Sequence, residues 1–464
     1  MARPMAEPEN NDLPFLVKQH LRKHSIAHEV GANGSKGIRA EVALLKDTFG
    51  LVQVFFRSDT LLDLEKVKRL TGRQLQPLTL AEINKVKHKL SVRTLPAFDD
   101  LMEAETLIDE RLFELHEIFV YSGSMNHLIR LADTQLLKQK DATRVADLCV
   151  LLPVAHLEQE PELFERDKAI IDHSINSFTA LRIRKRIEET LEIPPLPATA
   201  MAIIKLRVDP DADISKLSRI VENDPSLAAQ VVSWASSSYY AAPGSIKSVQ
   251  DAIVRVLGYD LVMNLSLGLA LGKTLDLPND NPEGFAPYWT RAVYTAAASG
   301  ALLSLIPREF RPGFGLIYLT GLLHNFGYLI LAHAFRPHFS TVCRTREANR
   351  HLPHQLIEHH LLGITGDQIA ASLMKSWQMP SEVCLGIRFQ AEPDYLGNGS
   401  DHAQMVYLAS NLLQQYGLLP GENTPLDTSV YDHLHINPQD VGEIMETLVA
   451  SKDQIETIIK GLES

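Results

Sequence analysis

An α+β domain followed by an all-α domain is the fold class this sequence predicts. Three observations carry the prediction. Short β-rich runs alternate with helical stretches before about residue 140. Apolar residues at helical spacing dominate after Ile193. The 464 residues also exceed what one ordinary core holds. With 45% hydrophobic and 22% charged residues, the composition is that of a folded chain rather than a disordered one.

In the first part, residues 13–20 have helical spacing. Residues 42–45 and 51–56 are rich in β-formers and flank Lys46-Asp47-Thr48-Phe49-Gly50, a pattern that predicts a hairpin. Residues 61–70 and 80–87 return to helical spacing, and Thr79 with Glu82 makes a capping box for the second helix. Residues 112–121 and 128–131 have strand character. Residues 12–140 are therefore expected to form a mixed sheet with helices. Residues 141–186, acidic at Glu158, Glu160 and Glu162, are expected to be a helical connector without chemistry.

Pro194-Pro195-Leu196-Pro197 stiffens the chain where the second region begins. Ile214, Leu217, Ile220 and Val221 share one helix face. Asp224-Pro225 then supplies an N-cap and a favoured first residue, with Leu227, Ala228, Val231 and Val232 pointing inward. Ser248 and Asp251 cap a further helix that presents Val249, Ala252, Ile253, Val256 and Leu257 and stops at Gly258. Residues 187–455 are expected to be helical throughout.

Charge and cysteine usage exclude several functions. A net charge of -12 argues against a general nucleic-acid binder. The one basic cluster, Arg182, Arg184, Lys185 and Arg186, alternates with Leu181, Ile183 and Ile187 and reads as a solvated helix face. Cys149, Cys343 and Cys384 are far apart and odd in number, which suggests neither a disulfide framework nor a zinc ribbon and fits a reducing cytosol. The N-terminus has no basic segment followed by an apolar core, so no export signal is expected. Residues 312–335 hold no Lys, Arg, Asp or Glu and could span a bilayer by length. However, His324, Asn325 and His333 lie within that run, and Gly313, Gly315, Gly321 and Gly327 interrupt it. Polar groups there are costly in lipid, so a core helix buried on all sides is the expectation. The chain is expected to be cytoplasmic, with no membrane insertion.

Several linked motifs resemble the HD-related output domain (HDOD) family. They are Pro194-Pro195-Leu196-Pro197, the run from Ile220-Val221-Glu222-Asn223-Asp224-Pro225 to Leu227, Trp234-Ala235-Ser236-Ser237-Ser238-Tyr239-Tyr240, the run from Ser248 to Gly258, and Leu322-Leu323-His324-Asn325-Phe326-Gly327. The resemblance covers about residues 187–455. It implies a helical relative of the HD phosphohydrolases, found in bacterial signalling proteins and generally regarded as non-catalytic. More weakly, residues 12–140 resemble YbaK-type aminoacyl-tRNA editing domains. The carriers are Leu44-Leu45-Lys46-Asp47, Leu62-Asp63-Leu64-Glu65-Lys66-Val67, Leu80-Ala81-Glu82, Pro96-Ala97-Phe98 and Tyr121-Ser122-Gly123.

An active HD enzyme needs imidazoles and carboxylates around one or two divalent metals, which activate water and offset phosphoryl charge. The resemblance places degenerate residues at those positions. His324 keeps half of the His-Asp pair, but Asn325 replaces the aspartate. Arg291 stands where the first histidine belongs, and a cation there repels a metal. Gly366 takes the place of the histidine in the "LLG-x-x-H" segment, Phe389 and Gln390 follow Ile387-Arg388 where a His-His pair is common, and Ser410 replaces a closing aspartate. No catalytic residue, no bound metal and no cofactor are therefore expected. A rival metal group, His351, His354, Glu358, His359 and His360, lacks the HExxH order and reads as surface or interface histidines. The editing-like region is degenerate too: Arg39, Ala40 or Glu41 stands where a functional lysine is implied. Leu90-Ser91-Val92-Arg93 has no glycine where backbone N–H groups should approach the substrate.

The leading expectation is a non-catalytic regulatory scaffold that binds partner signalling proteins, with cyclic di-nucleotide enzymes and sensor kinases suggested by the family. The competing readings are a nucleotide sensor using the vestigial pocket, and a residual metal phosphodiesterase or misacyl-tRNA deacylase.

Overall fold

The computed structural model describes residues 13–32, 37–152, 163–180, 196–240, 245–275, 278, 280–282, 285–420 and 426–463. The expectations for residues 158–162, for the basic cluster at 181–187 and for Pro194-Pro195 lie outside them. Contacts divide the chain into two units. The first gathers the described residues up to 152 and takes in Ser340–Ile357 from far along the chain; the second holds most of the remainder.

The first unit is a mixed sheet with helices, as expected. Its elements are α1 (Phe15–Lys23), β1 (Glu29–Ala32), β2 (Arg39–Asp47), β3 (Gly50–Arg57), β4 (Thr60–Leu62), α2 (Leu64–Thr71), β5 (Gln76–Pro77), α3 (Leu80–Leu90), β6 (Glu105–Asp109), β7 (Ile118–Tyr121), β8 (His127–Leu131), β9 (Arg144–Ala146) and β10 (Cys149–Leu151). Eight strands run in the order β1-β8-β7-β2-β3-β6-β9 with β5 beside β2, and β10 pairs with β4 separately. The expected hairpin is β2–β3, antiparallel from Ala40↔Arg57 to Asp47↔Gly50. Along β3 the buried side chains alternate between two cores, as the pleat requires. Phe55 joins Val17, Leu21, Phe98 and Ile129. Val54 and Phe56 join Leu45, Leu62, Val67 and Ala348. The Thr79–Glu82 capping box forms in full.

Three stretches differ from the sequence reading. Residues 60–62 pair as a strand with β10, and the helix begins at Leu64 because the Asp63 side chain accepts from Glu65 and Lys66 N–H. Leu112 lies in a 3-10 turn, Glu110–Glu114, capped by Asp109, so the strand starts only at Ile118. The segment expected as a connector holds β9 and β10 of the sheet unit before the helix at Leu163. Asp109 anchors it: one buried carboxylate oxygen accepts from the N–H groups of Leu148 at 2.8 Å and Cys149 at 2.9 Å.

The second unit is helical among its described residues. It contains α4 (Leu163–Ala180), α5 (Ala198–Arg207), α6 (Ile214–Glu222), α7 (Pro225–Ser236), α8 (Val249–Ala252), α9 (Tyr259–Gly272), α10 (Tyr288–Leu302), α11 (Phe314–Leu323) and α12 (Phe326–Ala334). The helix α13 (Arg336–Ala348) then leads into the piece shared with the first unit. After it come α14 (His354–Leu362), α15 (Gly366–Ser376), α16 (Ser381–Arg388), α17 (Ser400–Gln415), α18 (Ser429–His433), α19 (Val441–Ala450) and α20 (Lys452–Glu463). The caps read from sequence are in place: Asp224 accepts from Leu227 N–H and Ser248 from Asp251 N–H. Gly258 sits at φ 78°, a left-handed position that a side chain would strain.

Helices α9, α10 and α11 form the centre. At Gly321 a Cβ would lie 2.8 Å from Ala296 Cα, so the glycine lets the α10 and α11 backbones touch. The apolar run Phe314–Ala334 is long enough to cross a bilayer by composition alone, but 78% of it is buried inside the protein. It is a core helix pair broken at His324-Asn325.

Candidate functional site

The site implied by the HDOD resemblance centres on the break between α11 and α12. His324 caps α11 and Asn325 precedes α12. The His324 Nδ1 donates to the Gly321 carbonyl at 2.7 Å, which assigns the ring proton to Nδ1. Its Nε2 is buried and meets no hydrogen-bond partner among the described protein atoms. Burial first, and the Arg291 guanidinium second, push the His324 pKa down to about 3. The ring is neutral at physiological pH, with its lone pair in a dry, electropositive setting.

Asn325 is held by α10: its Nδ2 donates to the Tyr288 carbonyl at 3.0 Å. Gln390 uses both hydrogens of its amide. One goes to the His324 carbonyl and the other to Asp367 Oδ1, each at 2.7 Å. A neutral amide therefore links the ends of α11, α15 and α16. Gly366 opens α15 and gives its N–H to Glu358 Oε2 at 2.8 Å.

The seven positions implied by the resemblance are thus not one cluster. Gln390 is hydrogen-bonded to the His324 carbonyl, Asn325 follows His324 in the chain but bonds Tyr288, and Arg291 acts on His324 electrostatically. Gly366 serves a backbone crossing beside them. Phe389 turns aside to stack on Tyr395 at 3.8 Å between ring centres. Ser410 is half-buried on α17, and no described hydrogen bond joins it to His324.

Two acidic residues were missed in the sequence. Asp367 follows Gly366 directly in the motif, and only its hydrogen bond to Gln390 reveals it. Asp167 lies on α4, in the stretch read as free of chemistry. Its buried carboxylate accepts from Arg388 Nε at 2.7 Å and from Gln368 Nε2 at 3.0 Å. No local pattern marks Asp167, because its partners are more than 200 residues away.

Among the described residues the rival histidine group is not one of the convergent sets of possible metal ligands. His351 donates from Nε2 to the Thr60 carbonyl at 3.2 Å and packs edge-on against Phe56. Burial pushes its pKa down to about 4. Glu358 is engaged by Gly366, while His359 and His360 are exposed.

In the sheet unit the lysine position is taken by Arg39, Ala40 and Glu41. Arg39 Nε lies 3.6 Å from Glu41 Oε1, and the Tyr121 hydroxyl donates to the same oxygen at 3.1 Å. In the loop without glycine, Ser91 itself adopts a left-handed φ of 54°, and Arg93 N–H donates to the Gly123 carbonyl at 2.7 Å. That N–H is consumed internally instead of facing a substrate.

Comparison with known proteins fits this geometry. Residues 193–393 match the HDOD domain family. The chain is 41% identical to a candidate signal transduction protein from Marinobacter aquaeolei VT8, and it matches that crystal structure with a TM-score of 0.86 over 98% of this chain and 100% of that one. An HDOD domain protein from Geobacter sulfurreducens is 20% identical, with a TM-score of 0.50 over 62% of this chain and 97% of that one, a likeness of fold alone. A protein of Treponema pallidum (strain Nichols) is 24% identical over 213 residues; the match takes 45% of this chain and spans 39% of that relative's length. The chain belongs to the HDOD family. The mixed sheet of its first unit agrees with the weaker YbaK-type resemblance.

Proposed function

We propose that this protein is a non-catalytic scaffold of bacterial signal transduction, acting in the cytoplasm and binding partner signalling proteins through its helical unit. Signalling is the role named for the Marinobacter aquaeolei relative. One observation supports the loss of catalysis above the others. The His324 imidazole feels the Arg291 guanidinium, its backbone carbonyl accepts from the Gln390 amide, and its chain neighbour is Asn325, whereas a metal phosphohydrolase needs further imidazoles and a carboxylate pair. Asp367, the carboxylate nearest in this network, accepts from Gln390.

Sensor kinases and enzymes of cyclic di-nucleotides are the partners proposed. The protein, incubated with excess Mn2+ or Fe2+, is expected not to hydrolyse phosphodiesters. Captured on this chain from its native host, such partners should be enriched over a bead control. Glutamate at the exposed apolar positions Val208, Val254 or Leu396 should abolish that enrichment at one of them. Manganese-dependent turnover would overturn the reading.

A nucleotide sensor is the second reading. It is favoured by the Arg291 guanidinium in the field of the buried His324, a cation suited to a phosphate-bearing ligand. A nucleotide-dependent rise in melting temperature, lost in Arg291→Met, would support it over the scaffold alone.

A further inference from the structure

The sheet unit holds a three-residue group that neither the HDOD nor the editing-domain resemblance uses. His20 lies on α1 and His24 is the residue that caps it, and their rings lie 4.8 Å apart. Asp100 lies in the loop that follows Phe98, and the His20 ring rests on the Phe98 ring at 4.3 Å between centres. One Asp100 oxygen meets His20 Nδ1, and the other meets His24 Nε2 at 2.7 Å. The three candidate ligand atoms all lie within 4.8 Å of one another, and among the described residues this is the one His/Cys/Asp/Glu group with such convergence.

We propose that His20, His24 and Asp100 form a binding site for a single divalent transition-metal ion of the zinc class. Two imidazoles and one carboxylate suit Zn2+ and its neighbours, whereas Mg2+ and Ca2+ prefer sites built from oxygen alone. Three protein ligands leave a fourth position for water. Burial grades across the group: the side chains of His20, Asp100 and His24 are 2%, 13% and 19% exposed. The metal therefore enters from the His24 and Asp100 side, and His20 forms the floor. The apolar Phe98 face behind His20 fixes that ring and lowers the local dielectric, which favours a charge-neutralising ion over a bare carboxylate.

One residue opposes the metal. Lys23 donates from Nζ to Asp100 Oδ2 at 3.0 Å and supplies the positive charge that the ion would bring. Its side chain is 64% exposed, so it can swing into solvent when the metal binds. This competition sets the direction of the test. The site ties α1 to the loop before β6, and it is independent of the scaffold proposed for the helical unit.

The full chain, stripped with chelator and titrated with Zn2+ alone by calorimetry, is expected to bind one equivalent at this site. With Co2+ in place of zinc, the visible absorption of a four-coordinate centre should appear. His24→Gln should weaken binding by at least about 100-fold, since losing even an outer-shell partner costs about 10–100-fold. Lys23→Gln should tighten it. Two results overturn the proposal: no saturable binding by the stripped chain, or Zn2+ binding that His24→Gln leaves unchanged, which assigns the metal to other histidines. Should His24→Gln fail to fold, Lys23→Gln decides: affinity raised supports the site, and affinity unchanged rejects it.

Discussion

Gly327 and Gly366 cross so closely that a Cβ on Gly327 would lie 2.2 Å from the Gly366 carbonyl oxygen. The position that aligns with a metal-binding histidine is therefore a contact between the backbones of α12 and α15. A side chain at 366 would itself meet Gly327, Leu331 and Glu358 at 3.2 to 3.4 Å. A histidine at 366 would have to displace this backbone contact.

Gly327→Ala is accordingly expected to destabilise the helical unit by about 3 kcal/mol, the upper range for overpacking, because the obstacle is backbone and cannot rotate away. Gly366→His should also destabilise it, while adding no affinity for Mn2+. Urea unfolding followed by circular dichroism checks the first. Calorimetry checks the second, and manganese binding by Gly366→His would contradict it.

The Asp167–Arg388 pair should carry much of the attachment of α4. The carboxylate is almost fully buried and the guanidinium mostly so. Removing one partner leaves the other charge unpaired in low dielectric, which costs about 3 kcal/mol or more. Asp167→Ala should lose that much in unfolding experiments, and Asp167→Leu with Arg388→Met should recover most of it. Equal stability of Asp167→Ala and the parent would refute this account of α4.

Stability should fall as the solution is acidified from neutrality. Burial holds the pKa of His324 down to about 3 and those of His351 and His402 down to about 4, against 6.5 in the unfolded chain. Above pH 6.5 the rings are neutral in both states and contribute no pH dependence. Below it the unfolded chain takes up protons that the folded chain refuses, so stability drops until the folded pKa values are passed. Each ring contributes a slope approaching about 1.4 kcal/mol per pH unit once the unfolded state is fully protonated. Among the described residues His402 has no hydrogen-bond partner at either ring nitrogen, so His402→Leu should flatten the profile with little loss at pH 7. Urea midpoints at pH 7, 6 and 5 measure the slope, and an unchanged slope in His402→Leu would exclude that ring from it.

What the sequence made readable was local. Caps at Thr79, Asp224 and Ser248, the β2–β3 hairpin and the helical character after Ile193 all depend on residues within one or two turns of each other, and all appear in the structure. By contrast, the assignment of residues 60–62 failed because their strand is defined by β10, ninety residues on. Asp167 and Asp367 went unseen because their meaning lies in Arg388, Gln368 and Gln390. The pairing of His20 and His24 with Asp100 shows the same limit, since only folding brings the loop carboxylate to the helix.

One long-range link of this kind is testable. Asn349 acts as a surrogate strand residue for β4 within the sheet unit: its Oδ1 accepts from Leu62 N–H at 2.7 Å, and its Nδ2 donates to the Leu62 carbonyl at 3.0 Å. Both backbone groups are buried, and Asn349 is fully buried itself. An aspartate could accept but not donate, and a leucine could do neither. Asn349→Leu therefore orphans one donor and one acceptor, each at about 1–3 kcal/mol, whereas Asn349→Asp also places a charge there. Both variants should lower the unfolding midpoint. Faster hydrogen exchange should concentrate at Leu62, whose N–H loses its only described acceptor, while the paired amides of β2 and β3 exchange as before. Protection at Leu62 that survives Asn349→Leu would mean that β4 is held by β10 alone.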